Sequence, residues 1–255
     1  MKVGAEKEIY RRIAPITDRM GEQDWMNLPP VIHNNIVLRL PNKLRKQYDI
    51  LEREFMLEFP QGIAEANSAA VLNSKLRQFV QGGLYVKEDI GMLPSGEWVA
   101  VHDLKTKALK SLVETSNGNP VLAPVQFSFE YEMICKEFGY RVPLIAGKTS
   151  ATKMKEYITQ WNLGLLPLLI VHPRSVAYSL NLQFGGHIIC WVALPWEADL
   201  YAQLLRRLRR PGQRAGRIII HRIIFEDSVD EKVGKALARK INYQEGLFQA
   251  MEELR

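Results

Sequence analysis

The spacing of apolar positions changes near residue 100, and the two stretches predict different structure. In "PNKLRKQYDILEREFMLEF" and "ANSAAVLNSKLRQFVQGG" apolar residues recur near the 3.6-residue period, which predicts helices that bury one face; "EKEIYRRI" reads the same way. Gly82 and Gly83 supply a helix stop. A short run, "NNIVLRL", predicts a strand among these helices. "LYVKE" and "EWVAVHD" flank Pro94, Ser95 and Gly96, which predicts a hairpin. From there the rhythm is strand, helix, strand: "NPVLAPV" before "FSFEYEMICKEFG", "YRVPLIAG" before "TSATKMKEYITQWN", then "LLPLLIV", "HIICWVAL", a helix at 196–210 and "GRIIIHRIIF". Apolar strands alternating with amphipathic helices predict an α/β fold, a mainly parallel sheet covered on both faces. The expected division is a mainly helical segment with a hairpin over 1–100 and a sheet domain over 101–255.

One stretch carries chemistry. "YAQLLRRLRRPGQRAGR" places four arginines within five residues, just before Pro211 and Gly212. If Glu197 to Arg210 is one helix, Gln203, Arg207 and Arg210 share a face, while Leu204, Leu205 and Leu208 turn inward. Pro211 and Gly212 end the helix at a defined place and hold Arg210 at a rigid rim. No acidic residue occurs between Leu200 and Phe225, whereas arginine occurs at 206, 207, 209, 210, 214, 217 and 222. Fixed guanidinium forks suit phosphate; the competing reading is a solvated basic face.

Composition narrows the picture a little. Lysine and arginine exceed aspartate and glutamate by 34 to 28, a net charge of +6, which favours an anionic partner without naming one. Cys135 and Cys190 lie far apart with no metal-type spacing and read as reduced thiols. No apolar run approaches the ~20 residues of a membrane span, and "MKVGAEKEIYRRI" is unlike a signal peptide, so the expectation is a cytoplasmic protein with no membrane partner. His33, His102, His172, His187 and His221 are scattered, which argues against a free-standing small-molecule enzyme.

The arginine stretch resembles the sixth signature motif of superfamily 2 helicases of the Swi/Snf type, Gln-x-x-x-Arg-x-x-Arg-x-Gly-Gln, through Gln203, Arg207, Arg210, Gly212 and Gln213. Other segments agree in order. "VLAPVQF" resembles the fourth motif, with Gln126 after its strand. "GKTSATKMKEYITQWN" resembles the following segment through Gly147, Thr149, Ser150 and Asn162, and "HPRSVAYSLNLQFGGH" resembles the fifth motif around Leu180, Asn181 and Leu182. "SVDEKV" is similar to the segment after the last strand, and residues 1–100 are similar to the region joining the lobes in compact, virus-type members.

The resemblance implies a C-terminal RecA-like lobe over 101–255, preceded by an inter-lobe region. It implies ATP with Mg shared with a first lobe, in cis or in trans, and not bound by this chain alone. Arg207 and Arg210 would be the arginine fingers, with Gln203, Asn181, Gly212 and Gln213 on the nucleotide side. Gln126, Lys148, Thr149 and Ser175 would meet the DNA backbone. Two departures stand beside it. "PLIAGKTS" lacks the first glycine of a phosphate loop, position 142 being valine, and no acidic Asp-Glu box occurs, Asp230 and Glu231 reading as helix-start residues. In the fifth motif Ala177 and Ser179 replace glycines. Two functions therefore stay open: the lobe of an ATP-dependent DNA translocase, or a non-catalytic DNA- or partner-binding remnant of one.

Overall fold

A computed structural model describes Arg12 and residues 28–86, 97–176 and 180–252. The expected helix at "EKEIYRRI", the hairpin turn and the Ala177 and Ser179 positions lie outside the described residues, apart from Arg12, which is helical. The centre is a six-stranded, wholly parallel sheet in the order β1-β10-β9-β6-β8-β7. Its strands are β1 (Val31–Leu38), β6 (Val121–Pro124), β7 (Leu144–Ile145), β8 (Leu168–Val171), β9 (Ile188–Trp191) and β10 (Ile218–Phe225). Helices cover both faces, a doubly wound α/β arrangement consistent with the RecA-like fold expected.

Alternation along the strands explains the layering. Leu122, Leu169, Ile189 and Trp191 face one core, filled by α1 (Asn42–Glu54), α2 (Ala69–Gln81), α5 (Ala151–Asn162), α7 (Ala198–Leu208) and α8 (Val229–Glu252). Their neighbours Val121, Ala123, Leu168, Ile170, Ile188 and Cys190 face the other, under α3 (Leu104–Thr115) and α4 (Ser128–Phe138). A four-residue helix, α6 (Pro173–Val176), follows β8.

The first hundred residues hold two departures from expectation and one agreement. The strand read at "NNIVLRL" is β1, and it joins the sheet itself, pairing with β10 from Val31↔Ile218 to Leu38↔Phe225. The sheet thus crosses the division expected at residue 100. The helix read through "FMLEF" stops at Glu54, because Phe55 takes a left-handed φ of 62°; β2 (Met56–Phe59) and β3 (Gly62–Glu65) then form a small hairpin. And β4 (Gly83–Tyr85) pairs antiparallel with β5 (Trp98–Ala100), as the flanking sequence predicts.

A buried polar network fixes α1 and α3 to the carboxyl edge of the sheet. Lys105 Nζ meets Asp230 Oδ2 at 2.7 Å with both side chains buried, and donates to the Val192 carbonyl at 3.0 Å. Asp230 Oδ2 also accepts the Phe225 amide at 3.1 Å, and the Tyr48 hydroxyl accepts the Val229 amide at 2.9 Å. Asp230, expected only to meet a helix dipole, is half of an ion pair.

Candidate functional site

The sheet sorts the expected residues into two groups at opposite edges. Parallel strands share one carboxyl edge, where open α/β sheets bind ligands. Gln126 follows β6, Lys148 and Thr149 follow β7, and Ser175 follows β8, so these four lie along that edge on adjacent strands. α7 begins after β9 and runs back, so its last turn lies toward the amino ends, near the loop that leads into β9. Gln203, Arg207, Arg210, Asn181, Gly212 and Gln213 gather there.

The helix is shorter than its sequence suggests. It ends at Leu208, so Gln203 and Arg207 share its face at a four-residue spacing, but Arg210 lies beyond it in the bend before Pro211. Its register comes from a turn instead. The Gln213 amide donates to the Arg210 carbonyl at 3.1 Å across Pro211 and Gly212, and Gly212 has φ 89°. Proline second and a positive-φ glycine third are what a type II turn requires. A Cβ on Gly212 would stand 3.2 Å from the Phe184 ring.

Side chains then fix the guanidinium. Arg210 Nη1 donates to Asn181 Oδ1 at 2.5 Å, and Asn162 Nδ2 donates to the Asn181 carbonyl at 2.9 Å. The Leu182 amide reaches the Arg207 carbonyl at 3.4 Å, and Trp161 Nε1 donates to the Leu182 carbonyl at 2.9 Å. Gln213 spends its amide on the backbone: Nε2 donates to the Gly186 carbonyl at 3.0 Å and the Leu208 carbonyl at 3.1 Å, and Oε1 accepts the Ala215 amide at 3.0 Å. It braces the loop. Gly185 lets that loop close on α5, since a Cβ there would stand 2.0 Å from the Trp161 carbonyl oxygen. Trp161, Phe184 and the Gly185-Gly186 pair were not singled out by sequence, although two adjacent glycines just before a strand are a visible sign of close backbone approach.

Burial, and then the neighbouring Arg210 charge, lower the Arg207 pKa from its ordinary value. Two like charges held together form a site that an anion relieves. Gln203 Oε1 is buried with no hydrogen-bond partner. The remaining arginines divide: Arg209 Nε donates to the Pro29 carbonyl at 3.0 Å and Arg222 Nη2 lies 2.7 Å from His33 Nδ1, whereas Arg214 and Arg217 are exposed. The run is therefore part brace and part basic surface.

At the carboxyl edge, Lys148 is exposed on a turn. Thr149 Oγ1 donates to the Leu144 carbonyl at 3.1 Å and accepts the Ala146 amide at 3.0 Å, which shapes that turn. The Gln126 loop rests on Glu130, whose Oε2 accepts the amides of Gln126 at 2.7 Å and Phe127 at 2.6 Å. Desolvation pushes the Glu130 carboxyl up to about 7 against the pull of those amides. Sequence reading missed Glu130, because the cap three residues before it is Phe127 rather than the serine or threonine of the usual signal.

Comparison with known proteins supports the fold. No family model matches the chain. Protein p41 of Acyrthosiphon pisum secondary endosymbiont phage 1 is 32% identical over 252 residues, 97% of this chain and 52% of that protein. The chain thus spans about half the length of this curated relative. The crystal structure of the C-terminal part of the Fun30 ATPase domain is similar with a TM-score of 0.61 and 16% identity, covering 82% of this chain and 89% of that one. Among the described residues, no helix is long and apolar enough to cross a membrane.

Proposed function

We propose that the chain is the C-terminal lobe of an ATP-dependent DNA translocase of the superfamily 2, Swi/Snf type, with the first lobe supplied by another part of the protein or by a partner. The observation that carries this reading is the Arg207 and Arg210 pair, set by the end of α7 and a type II turn, with Arg210 oriented by Asn181. Resemblance of the fold to an ATPase lobe, and the greater length of the phage relative, support it.

Two guanidiniums fit the phosphate part of a nucleotide, whereas the unpartnered buried oxygen of Gln203 is an acceptor and would meet a hydroxyl or amino group of the nucleoside. Mg would be held with ATP between this lobe and the first. Bound ATP supplies the transferable phosphoryl group whose departure drives movement. Arg210 and Arg207 would place positive charge against it, Asn181 would hold the Arg210 fork in plane, and Gln213 would keep the turn from sliding. Gln126, Lys148, Thr149 and Ser175, along the other edge, would meet DNA phosphates.

The test is reconstitution with a first lobe, in trans or by fusion, and measurement of DNA-stimulated ATP hydrolysis. Hydrolysis is expected only in the reconstituted protein, and Arg210→Ala should lower it by about 10³ to 10⁵-fold with an unchanged melting temperature. Stimulated turnover by the isolated chain, or a reconstituted complex that binds DNA yet never hydrolyses ATP, would refute it; the second result identifies a remnant.

A further inference from the structure

β1 is the end strand of the sheet, and no strand among the described residues pairs with its outer side. The ladder shows which backbone groups are free. The Ile218 amide donates to the Pro30 carbonyl at 2.9 Å and the Glu226 amide to the Leu38 carbonyl at 3.1 Å, so even-numbered residues of β1 turn their backbone groups toward β10. Val31, His33, Asn35 and Val37 therefore point their N–H and C=O groups outward. The side chains are open as well. Ile32 and Val37 are 42% and 53% exposed, and His33, Asn34 and Asn35 are exposed between them. The strand holds no lysine, acidic residue or proline, which are the usual guards of a free edge.

Its sequence adds a second, independent feature. "VIHNNIV", Val31 to Val37, reads almost the same from either end, with Asn34 at its centre. A two-fold axis at Asn34 lays the strand antiparallel to a copy of itself. Val31 then faces Val37, Ile32 faces Ile36, His33 faces Asn35 and Asn34 faces its own copy, so apolar meets apolar and polar meets polar throughout. The free backbone groups fall where that pairing needs them. Val31 with Val37 and His33 with Asn35 become hydrogen-bonded pairs, each occurring twice, for about eight backbone bonds. An axis one residue further, at Asn35, would set Asn34 against Ile36 and His33 against Val37, polar against apolar. The polar middle is already ordered: Asn34 Nδ2 lies 3.0 Å from His221 Nδ1, and Arg222 Nη2 lies 2.7 Å from His33 Nδ1. Burial, and then the Arg222 charge, lower the His33 pKa, which keeps an ionised ring out of the pairing near neutral pH.

We propose that β1 is a homodimerisation edge, at which two copies of this chain join their sheets through antiparallel β1 strands about a two-fold axis at Asn34. The surface uses neither the arginine pair nor the loops that follow β6, β7 and β8, so it stands or falls independently of the function proposed above. One strand pair is a small interface, and its dissociation constant should lie in the micromolar range.

The experiment is sedimentation equilibrium of the whole chain from about 1 to 100 µM, over which the mass should rise from that of one chain toward that of two. Val37→Lys adds a charge that the monomer leaves in water and the dimer sets against Val31. It should weaken association about tenfold or more, while the melting temperature at low concentration stays that of the parent. Asn35→Pro removes an outward N–H and no bond to β10, and should act in the same way. Asn34→Cys tests the register, because only this axis brings position 34 opposite itself, with Cα atoms ~4.5 Å apart and within reach of a disulfide. Oxidised glutathione should link that variant into a covalent dimer, and should link neither the parent nor Asn35→Cys. A chain that stays monomeric at every concentration, leaving the edge for a strand from elsewhere in a longer protein, overturns the proposal. So does a dimer that Val37→Lys leaves intact, or one in which Asn34→Cys does not cross-link.

Discussion

Replacing Glu130 by glutamine is expected to leave stability nearly unchanged near pH 4 and to raise it by about 2 kcal/mol near pH 8. The carboxyl is buried at the base of the Gln126 loop, and burial lifts its pKa from 4.5 to about 7. At about 1.4 kcal/mol per unit, keeping it ionised in the folded protein costs about 3 kcal/mol. Because the folded value lies above the unfolded one, the folded state holds an extra proton between them. The stability this contributes is fully present below pH 4.5 and is lost as the pH rises through about 7. Glutamine keeps one carbonyl acceptor for the Gln126 and Phe127 amides, but sets an NH₂ where Glu130 Oε1 has no partner. That unpartnered donor costs about 1 kcal/mol and reduces the gain to about 2. Near pH 4 the protonated carboxyl carries the same unpartnered group, and the two proteins should match. Urea denaturation followed by tryptophan fluorescence would show a midpoint shift of roughly 1 M near pH 8, for a slope of about 2 kcal/mol per M. A variant less stable than the parent near pH 8 would refute the reasoning, since charge-assisted bonds to two amides would then outweigh desolvation.

Lys105→Met should cost about 3–5 kcal/mol in the same assay, because it strands a buried Asp230; adding Asp230→Asn should recover most of that, and equal losses in single and double variants would contradict it. Gly212→Ala should cost about 1–2 kcal/mol through its positive φ and the Phe184 contact, and should lower reconstituted ATP hydrolysis by more than that loss of stability explains; an active variant of parental stability would show that the turn does not set Arg210. DNA affinity should fall steeply between about 50 and 200 mM salt, with a smaller salt slope for Lys148→Ala, whereas Arg210→Ala should barely alter it; a salt-independent affinity would remove the phosphate contacts.

What sequence reading recovered is what continuous apolar runs announce. β6, β8, β9 and β10 are nearly unbroken apolar runs, and their alternation onto two cores follows from the pleat. α3 escaped because its buried face carries Lys105 and Thr106 beside Leu109, so the apolar period is broken by a lysine whose partner lies far along the chain. The end of α1 escaped because Phe55, not glycine, takes the left-handed turn. "NNIVLRL" announced a strand, but no local pattern says which sheet it enters. In the arginine motif the spacing was legible and the geometry was not: the helix stops two residues early, and Arg210 is placed by a turn and by Asn181. The aromatic cluster around Phe129 was invisible because Tyr85, Trp98 and Phe127 come from three separate segments.

The pairing of β1 with β10 also governs how the chain must be made. Partners in this ladder, such as Asn34 and His221, are 187 positions apart. On a ribosome adding about 5–20 residues per second, β1 waits roughly 10–40 s for the strand it pairs with. During that wait its exposed Ile32 and Val37 and its unpaired backbone are open to any other extended segment. Cutting the chain at residue 101 to isolate the sheet domain would reverse the hazard: β10, which keeps β9 but loses its β1 partner along all eight residues, becomes the edge, and a fragment chosen for its sequence boundary should aggregate where the longer chain stays dispersed.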